Sequence, residues 1–282
     1  MADVRNKTAG PSDRFDVPRP EKLALMAPDN PPTIIRSRTD DVPIVTRDWD
    51  RVYRAEGVHG SEEMGRTKSS NLETLIMYLG RGVNELLAPA TAMRLTEGDI
   101  DVLILGPGVQ GIDEANAVCA VFKKPNSICL ADGTPANLLD LQVGLREQPP
   151  EIRSKVELIH CDLADLSLLK GRKFDVALAV NTFDKSLWSE ENKRKLLKRV
   201  MSHGLIMLKP TSPEEMDSAL GRWADEAFRH LKDNPPGILI TRTSNDLGRH
   251  ETKLYGRHLG ELYASPAAIW CRDETVFKSR KA

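Results

Sequence analysis

The alternation of short apolar runs with helical stretches predicts an α/β protein with a mostly parallel sheet. From residue 101 onward, apolar runs of five to seven residues are separated by segments of helical periodicity, as in parallel strands joined by helices. The first run leads into a glycine-rich turn and then into a helical segment. A length of 282 residues with 40% hydrophobic content is enough for one large domain with a packed core.

Two segments are predicted before this domain. Seven of the 18 prolines fall within the first 43 residues, so residues 1–44 are predicted to be a flexible extension, with a docking arm as the alternative. Residues 45–95 are predicted to form a helical cap. Apolar residues recur there at helical spacing from Leu72 to Leu87, and Pro89 is expected to close the helix.

Seven strands are predicted in the domain, which is assigned to residues 96–282. Five parallel strands are expected at residues 101–105, 127–131, 156–160, 174–180 and 204–208. Residues 237–242 and 267–278 are expected to form an antiparallel edge hairpin, with a polar lid insertion at 244–266 between them. Helices are expected at about residues 110–122, 135–146 and 190–201 and after Ser212, with a short turn at 163–169.

Charge and cysteine usage exclude several classes of protein. Lys and Arg number 40 and Asp and Glu 41, so a broad basic surface for nucleic acid is not expected. The four cysteines lack C-x-x-C spacing and the six histidines are dispersed, so no metal site is expected. The chain has no apolar run of about 20 residues and no secretory signal, which predicts a cytoplasmic protein without membrane contact.

The turn after the first predicted strand has the sequence VLILGPGVQGIDEA, residues 102–115. Glycines at 106, 108 and 111 follow a strand and open a helix, which would bring backbone N–H groups close to a nucleotide-like ligand. Asp132 ends the next strand, 21 residues after Gly111, where a ribose-binding acid is expected. An N-cap role for Asp132 in the helix near Pro135 is the alternative, and the two roles are compatible.

Over roughly residues 95–282, these motifs resemble those of class I S-adenosylmethionine-dependent methyltransferases. LGPGVQG is similar to the glycine loop of the family, and HCDLADL to the segment that flanks the adenine. FDVALAVNTF and SHGLIMLKP resemble the fourth and fifth strands. The resemblance implies a Rossmann-like sheet, S-adenosylmethionine as cofactor, and methyl transfer to an O, N or C nucleophile of a small-molecule substrate.

The resemblance also implies which residues bind the cofactor. The glycine loop would wrap its amino-acid and ribose parts, Asp132 would accept both ribose hydroxyls, and Asp162 with Leu163 would contact the adenine. Asn181, at the end of the fourth strand, would lie near the methionine portion. The implied cofactor-binding residues are Gly106, Pro107, Gly108, Gly111, Asp132, Gly133, Asp162, Leu163 and Asn181.

Three other functions stay open. In methyltransferases an acid frequently precedes the glycine loop, but here that position is Ile104. This departure resembles the aminopropyltransferases of polyamine synthesis. The acid that follows their fourth strand is matched here only by Asp184, which is displaced. A nicotinamide-dependent dehydrogenase would also have the glycine motif and Asp132, but no Tyr-x-x-x-Lys pair occurs. A binding or scaffolding subunit that keeps the fold is the non-catalytic alternative. The oligomeric state is left open, and a homodimer is one option.

Candidate catalytic and substrate residues come from the loops around the expected cofactor. Asp184 and His250 are the candidate proton acceptors. The near-repeat GRHETKLY and GRHLGELY in the lid supplies two Arg-His pairs, with a plain solvated lid as the alternative. Thr182 and Phe183 stand where amino methyltransferases have prolines. The candidate substrate residues are Tyr53, His59, Trp188, Arg249, Arg257 and His258.

Overall fold

A mixed sheet of nine strands organises the part of the chain that this computed structural model describes. That part comprises residues 31–36, 42–47, 72–161, 163, 165–169, 171–180, 182, 224–241, 255–258 and 268–279. The strands are β1 Thr33–Ile35, β2 Ile44–Thr46, β3 Ile100–Leu105, β4 Pro125–Asp132, β5 Val156–His160, β6 Val176–Ala179, β7 Ile238–Thr241, β8 Tyr255–His258 and β9 Ala268–Cys271. Their order in the sheet is β1-β2-β5-β4-β3-β6-β7-β9-β8.

The centre of the sheet is parallel. Strands β2, β5, β4, β3, β6 and β7 pair in parallel with their neighbours, whereas β1 is antiparallel to β2, and β9 is antiparallel to both β7 and β8. Ile104 of β3 lies between Leu130 of β4 and Leu178 of β6, so these strands end together at one edge. The predicted α/β class with a reversed edge is confirmed, and the edge hairpin is formed by β8 and β9.

Five helices contribute to the core on one face of the sheet. They are α1 Leu72–Leu86, α2 Pro89–Glu97, α3 Gly111–Val121, α4 Pro135–Arg146 and α5 Pro150–Arg153. Residues 224–229 are also helical, but their buried Ala224, Ala227 and Phe228 do not belong to that core. Helix α1 contacts α3, and α3 contacts α4. Their apolar faces join the sheet in one core, in which Leu79, Val118 and Leu145 are completely buried. Pro89, expected only to close a helix, also begins α2, where its missing N–H costs nothing.

The first difference from the sequence prediction lies at the N-terminal side. Strands β1 and β2 fall at the end of the stretch predicted to be a flexible extension. Ile44 is buried and pairs with Leu158 of β5, while Thr46 Oγ1 lies 2.6 Å from Nδ1 of His160. Helix α4 also supports this segment, since Gln142 Nε2 donates to the Val42 carbonyl at 2.9 Å. Strands of three residues among prolines are too short to show a periodicity.

The second difference concerns the strand beside β6. Val176 pairs with Val102 of β3 on one side and with Ile238 of β7 on the other. Strand β7 therefore takes the place next to β6 that the resemblance gave to residues 204–208, which lie outside the described residues. Residues 204–208 and β7 are both short apolar runs, and hydrophobic periodicity cannot predict which of them lies next to β6 in the sheet.

The third difference concerns the C-terminal hairpin. Residues 255–258, assigned to the polar lid, form β8 and pair with β9 from Tyr255↔Cys271 to His258↔Ala268. Strand β9 ends at Cys271, and the predicted strand to residue 278 is replaced by a 3-10 turn at Glu274–Val276. Asp273 begins this turn, since its carboxylate accepts a hydrogen bond from the Thr275 amide at 2.9 Å.

Candidate functional site

A left-handed glycine turn connects β3 to α3 at the carboxyl edge of the parallel strands. Gly106 and Gly108 both have φ of +57°, a conformation that residues with a side chain rarely adopt. The Gly106 amide donates to the Ala131 carbonyl of β4 at 2.8 Å. A 3-10 turn at Gly108–Gln110 then leads directly into α3 at Gly111. The predicted succession of strand, glycine turn and helix is confirmed.

The third glycine allows close packing. A Cβ at Gly111 would stand 2.9 Å from both methyl carbons of Leu141 in α4 and 3.0 Å from the Cβ of Pro107. A real Cβ essentially never has a neighbour under 3.0 Å, so α3 and α4 approach each other here because residue 111 has no side chain. The third glycine of a GxGxxG turn also permits close packing in dinucleotide-binding folds, where it lets the helix approach a strand.

The carboxylate of Asp132, at the end of β4, is hydrogen-bonded to the glycine turn. Its Oδ2 accepts a hydrogen bond from the Gly108 amide at 2.9 Å. Its Oδ1 accepts from the Thr134 amide at 2.7 Å and from Asn137 Nδ2 at 3.3 Å. The carboxylate is completely buried, and a buried charge is stable only with such donors around it. The N-cap position of α4 is Thr134 rather than Asp132.

The loops after β5 and β6 reach the same turn. The Cys161 amide donates to the Asp132 carbonyl at 3.1 Å. Leu163, predicted to contact adenine, is 1% exposed, and its Cδ1 lies 3.4 Å from the position of a Cβ at Gly106. Thr182, which follows β6, is buried and donates from Oγ1 to the Leu105 carbonyl at 2.8 Å. Four strand ends therefore meet at one place.

Arg257, a predicted substrate residue, has its contacts elsewhere. Its Nη2 lies 2.8 Å from Oε1 of Glu274, and its guanidinium stacks 5.3 Å from the ring centroid of Phe277. Both partners follow β9, whose register with β7 places its C-terminal end away from the carboxyl edge of the parallel strands. The described contacts of Arg257 thus hold the hairpin β8–β9 to the segment that follows it.

Several predicted site residues lie outside the described part of the chain. His258 lies within the described part, where its backbone pairs with Ala268 of β9. The predicted site residues outside the described part are Tyr53, His59, Asp162, Asn181, Asp184, Trp188, Arg249 and His250. Their roles stay predictions.

Sequence reasoning missed three residues of the site. The backbone amide of Thr134 and Nδ2 of Asn137 donate to Asp132, and the Thr182 hydroxyl joins the strand ends of β3 and β6. A signal was available for Thr134, because Thr followed by Pro135 is a typical helix start. For Thr182, the signal was its departure from the proline-containing motif, which has no hydroxyl at this position.

The described residues contain neither a metal-binding cluster nor a membrane-spanning helix. Among them, no group of three or more His, Cys, Asp or Glu side chains is arranged to hold a metal ion. None of the described helices is long and apolar enough to cross a membrane.

No protein-family model matches the chain, and neither does any curated protein. Solved methyltransferase structures show a fold likeness at low identity. CcbJ from Streptomyces caelestis is 15% identical with a TM-score of 0.36, over 68% of this chain and 60% of its own. ChlM, the magnesium protoporphyrin IX methyltransferase from Synechocystis PCC 6803 with bound SAM, is 13% identical with a TM-score of 0.41, over 80% of this chain and 91% of its own.

A third structure is the N-methyltransferase NodS from Bradyrhizobium japonicum WM9 in complex with S-adenosylhomocysteine. It is 12% identical with a TM-score of 0.38, over 64% of this chain and 83% of its own. With its parallel centre, its reversed β9 and its glycine turn after β3, the chain has the Rossmann-like α/β fold that its sequence predicts.

Proposed function

We propose that the chain is an S-adenosylmethionine-dependent methyltransferase that acts on an O, N or C nucleophile of a small molecule. The observation that carries the proposal is the hydrogen bond from the Gly108 amide to Asp132. It joins the glycine turn and the acid, two elements that the sequence resemblance identified independently. Both lie at the carboxyl ends of parallel strands, where open α/β sheets bind their ligands.

The residues present fit such a cofactor. The left-handed turn at Gly106 and Gly108 leaves backbone without side chains, so a ligand can approach the main chain of the turn closely. Asp132 already accepts hydrogen bonds from the Gly108 amide, the Thr134 amide and Asn137, and the bond from Asn137 is the longest of these at 3.3 Å. For Asp132 to accept ribose hydroxyls, the Asn137 amide is therefore the donor that we expect to move aside.

The chain's part in the reaction would be binding, orientation and exclusion of water. The cofactor, when bound, supplies the activated methyl group, so no catalytic triad is needed. Asp184 and His250 are the proposed proton acceptors, and Tyr53, His59, Trp188, Arg249 and His258 the proposed substrate contacts. A net charge of −1 favours a small molecule over a polyanionic substrate.

Calorimetry with the full chain tests the cofactor. We expect S-adenosylhomocysteine and S-adenosylmethionine to bind, and NAD not to bind. Binding of NAD alone would overturn the proposal in favour of a dehydrogenase. Binding of decarboxylated S-adenosylmethionine in preference to S-adenosylmethionine would favour an aminopropyltransferase. If none of these ligands binds, the scaffolding alternative replaces the enzyme.

The variant Asp132→Asn tests the site at nearly constant volume. One amide cannot replace a carboxylate that accepts donors on both oxygens, so affinity for S-adenosylhomocysteine should fall at least about tenfold. Asp175→Asn is the matched control, because Asp175 is also buried and accepts bonds from Arg94, Lys232 and the Asp101 amide, remote from the turn. The proposal fails if both variants bind equally.

Release of S-adenosylhomocysteine from S-adenosylmethionine across a panel of small nucleophiles identifies the acceptor. With that acceptor, His250→Ala and Asp184→Ala should bind S-adenosylhomocysteine as the wild type does and turn over more slowly, by about 10²-fold for a general base. Unchanged turnover in both variants would remove them as proton acceptors.

A further inference from the structure

We propose that Thr182 is a positioning residue of the cofactor site, which locks the peptide group between Leu105 and Gly106. This inference rests on the proposed function. It concerns how the free protein holds its glycine turn ready for the cofactor, and it gives a role to the residue that departs from the proline-containing motif.

One planar peptide group is held from both sides. Its carbonyl, on Leu105, accepts a hydrogen bond from Thr182 Oγ1 at 2.8 Å, whereas the distance from this hydroxyl to the Val180 carbonyl is 3.4 Å. Its N–H, on Gly106, donates to the Ala131 carbonyl at 2.8 Å. Because a peptide group is planar, fixing both ends fixes its orientation.

This orientation determines where the glycine turn begins. Gly106 is the first residue of the chain after β3, and its φ of +57° turns the backbone away from the strand. The side chain of Thr182 also closes the space above Gly106, because its Cγ2 lies 3.0 Å from the position that a Cβ at Gly106 would take. Thr182 is 1% exposed, so water cannot readily replace the Leu105 carbonyl as the partner of its hydroxyl. Breaking this hydrogen bond therefore costs free energy.

Thr182 also joins two parts of the site. The ladder between β3 and β6 has its last pair at Ile104↔Leu178, and the hydroxyl of Thr182 extends the connection beyond that pair. In sequence, Thr182 lies next to Asn181 and two residues before Asp184. Thr182, which belongs in sequence to the loop proposed to face the methyl group, is thereby anchored to the turn proposed to bind the cofactor. Preorganisation of this kind raises affinity because less order must be imposed on binding.

Thr182→Val tests this role, since it removes the hydroxyl at nearly constant volume, and Thr182→Ser restores the hydroxyl without Cγ2. Thr46→Val is the matched control, because Thr46 is also buried and its Oγ1 lies 2.6 Å from His160 Nδ1 at the far edge of the sheet. Two properties are measured for each variant. They are amide exchange of Gly106 and Gly108 in the free protein, and the Kd for S-adenosylhomocysteine.

Loss of one buried hydrogen bond should accelerate exchange and raise the Kd by about fivefold each in Thr182→Val. Thr182→Ser should stay within about twofold of the wild type in both, and so should Thr46→Val. The inference is overturned if Thr182→Val resembles the wild type, or if Thr46→Val changes both properties equally. Thr182→Cys, a weak donor of similar volume, replaces Thr182→Val should that variant not fold.

The two readouts separate the inference from the proposed function. If the wild type binds no S-adenosylhomocysteine, the proposed function fails and the cofactor role of Thr182 fails with it. Amide exchange in the free protein still decides whether Thr182 holds the turn. If the wild type binds and Thr182→Val binds equally well, the proposed function stands and the positioning role is wrong.

Discussion

The indole ring of Trp270 lies directly against the backbone of Gly256, so that a Cβ at Gly256 would stand 2.5 Å from Cζ3 of the ring. The ring is fixed, because Trp270 is 2% exposed and its Nε1 donates to Thr241 Oγ1 at 3.0 Å. Gly256 and Trp270 are also paired in the ladder between β8 and β9. The absence of a side chain at residue 256 thus lets β8 close the edge of the sheet over a large buried ring.

Gly256→Ala should therefore destabilise the protein by about 1–3 kcal/mol, the usual cost of overpacking. Urea unfolding measures this change. Gly80→Ala is the control, since a Cβ there meets nothing within 4 Å and the residue lies inside α1. Gly80→Ala should raise the free energy of unfolding by about 0.5–1 kcal/mol, because alanine is favoured over glycine inside a helix. Equal stability of the two variants would contradict the contact with Trp270.

Gly106→Ala should reduce both stability and affinity for S-adenosylhomocysteine. Alanine at φ +57° is strained, and its Cβ would stand 3.0 Å from Cγ2 and 3.1 Å from Oγ1 of Thr182. The backbone strain alone costs about 1–2 kcal/mol. Displacement of the turn by about 1 Å should lower the affinity for S-adenosylhomocysteine at least about tenfold, because binding depends on the exact position of the turn.

Gly171→Ala separates strain from crowding. Gly171 has φ of +73° and a Cβ there meets nothing within 4 Å. This variant should lose about 1–2 kcal/mol of stability from the left-handed backbone alone and bind S-adenosylhomocysteine like the wild type. Calorimetry on both variants checks the difference, and loss of binding in Gly171→Ala would show that the site responds to general destabilisation.

The carboxylate of Asp101 should contribute to stability at neutral pH and lose that contribution in acid. Burial raises its pKa, but hydrogen bonds from Ser127 and Asn126 and the charge of Lys232 outweigh this effect, so the net pKa is lowered. A lowered pKa in the folded state stabilises the protein above the ordinary aspartate pKa of about 4. The contribution is lost as the pH falls through the lower, folded value.

Asp101→Asn should accordingly be less stable than the wild type at pH 7. The difference in free energy of unfolding should narrow as the pH falls below about 4, because Asp101 of the unfolded wild type is then protonated, and the folded carboxylate follows at lower pH. Urea unfolding at several pH values between 7 and 3 measures it. A difference that is constant across this range would mean that the charge of Asp101 does not contribute.

Thiol reagents should label Cys119 before the other three cysteines. Cys119 is partly exposed, whereas Cys129, Cys161 and Cys271 are buried. Burial raises the pKa of Cys119 and Cys271, and it raises that of Cys129 to about 12, so little thiolate is present at pH 7. We expect slow labelling of one thiol in the native protein and four after unfolding. Rapid native labelling of Cys129 would contradict its burial in β4.

The predictions from sequence succeeded where a residue type is required by the local backbone. Gly106 and Gly108 could be identified because their left-handed conformation needs glycine, and the structure places both at φ +57°. Helix α4 has the predicted bounds, 135–146, because Pro135 fits the first turn and the helical periodicity ends at Arg146. These signals lie within a few residues of the feature that they predict.

The failures concern pairings between distant segments. The apolar runs at 204–208 and 238–241 look alike, and only the pairing of Val176 with Ile238 shows which of them neighbours β6. Strand β2 exists because Ile44 and Thr46 are covered by β5 and α4, and β8 because Gly256 accommodates Trp270. Such contacts join residues more than a dozen positions apart, and the local periodicity of the sequence cannot predict them.

By itself, the sequence determined the α/β class, the glycine turn and the acid at Asp132, since each depends on local backbone geometry or on a fixed spacing. Only the tertiary structure decided the strand order, the role of Arg257 in the edge hairpin, and the meeting of Asp132, Gly108 and Thr182 at one place. The physical reason is that buried polar groups select their partners by proximity in the folded chain, where an unpaired group costs free energy.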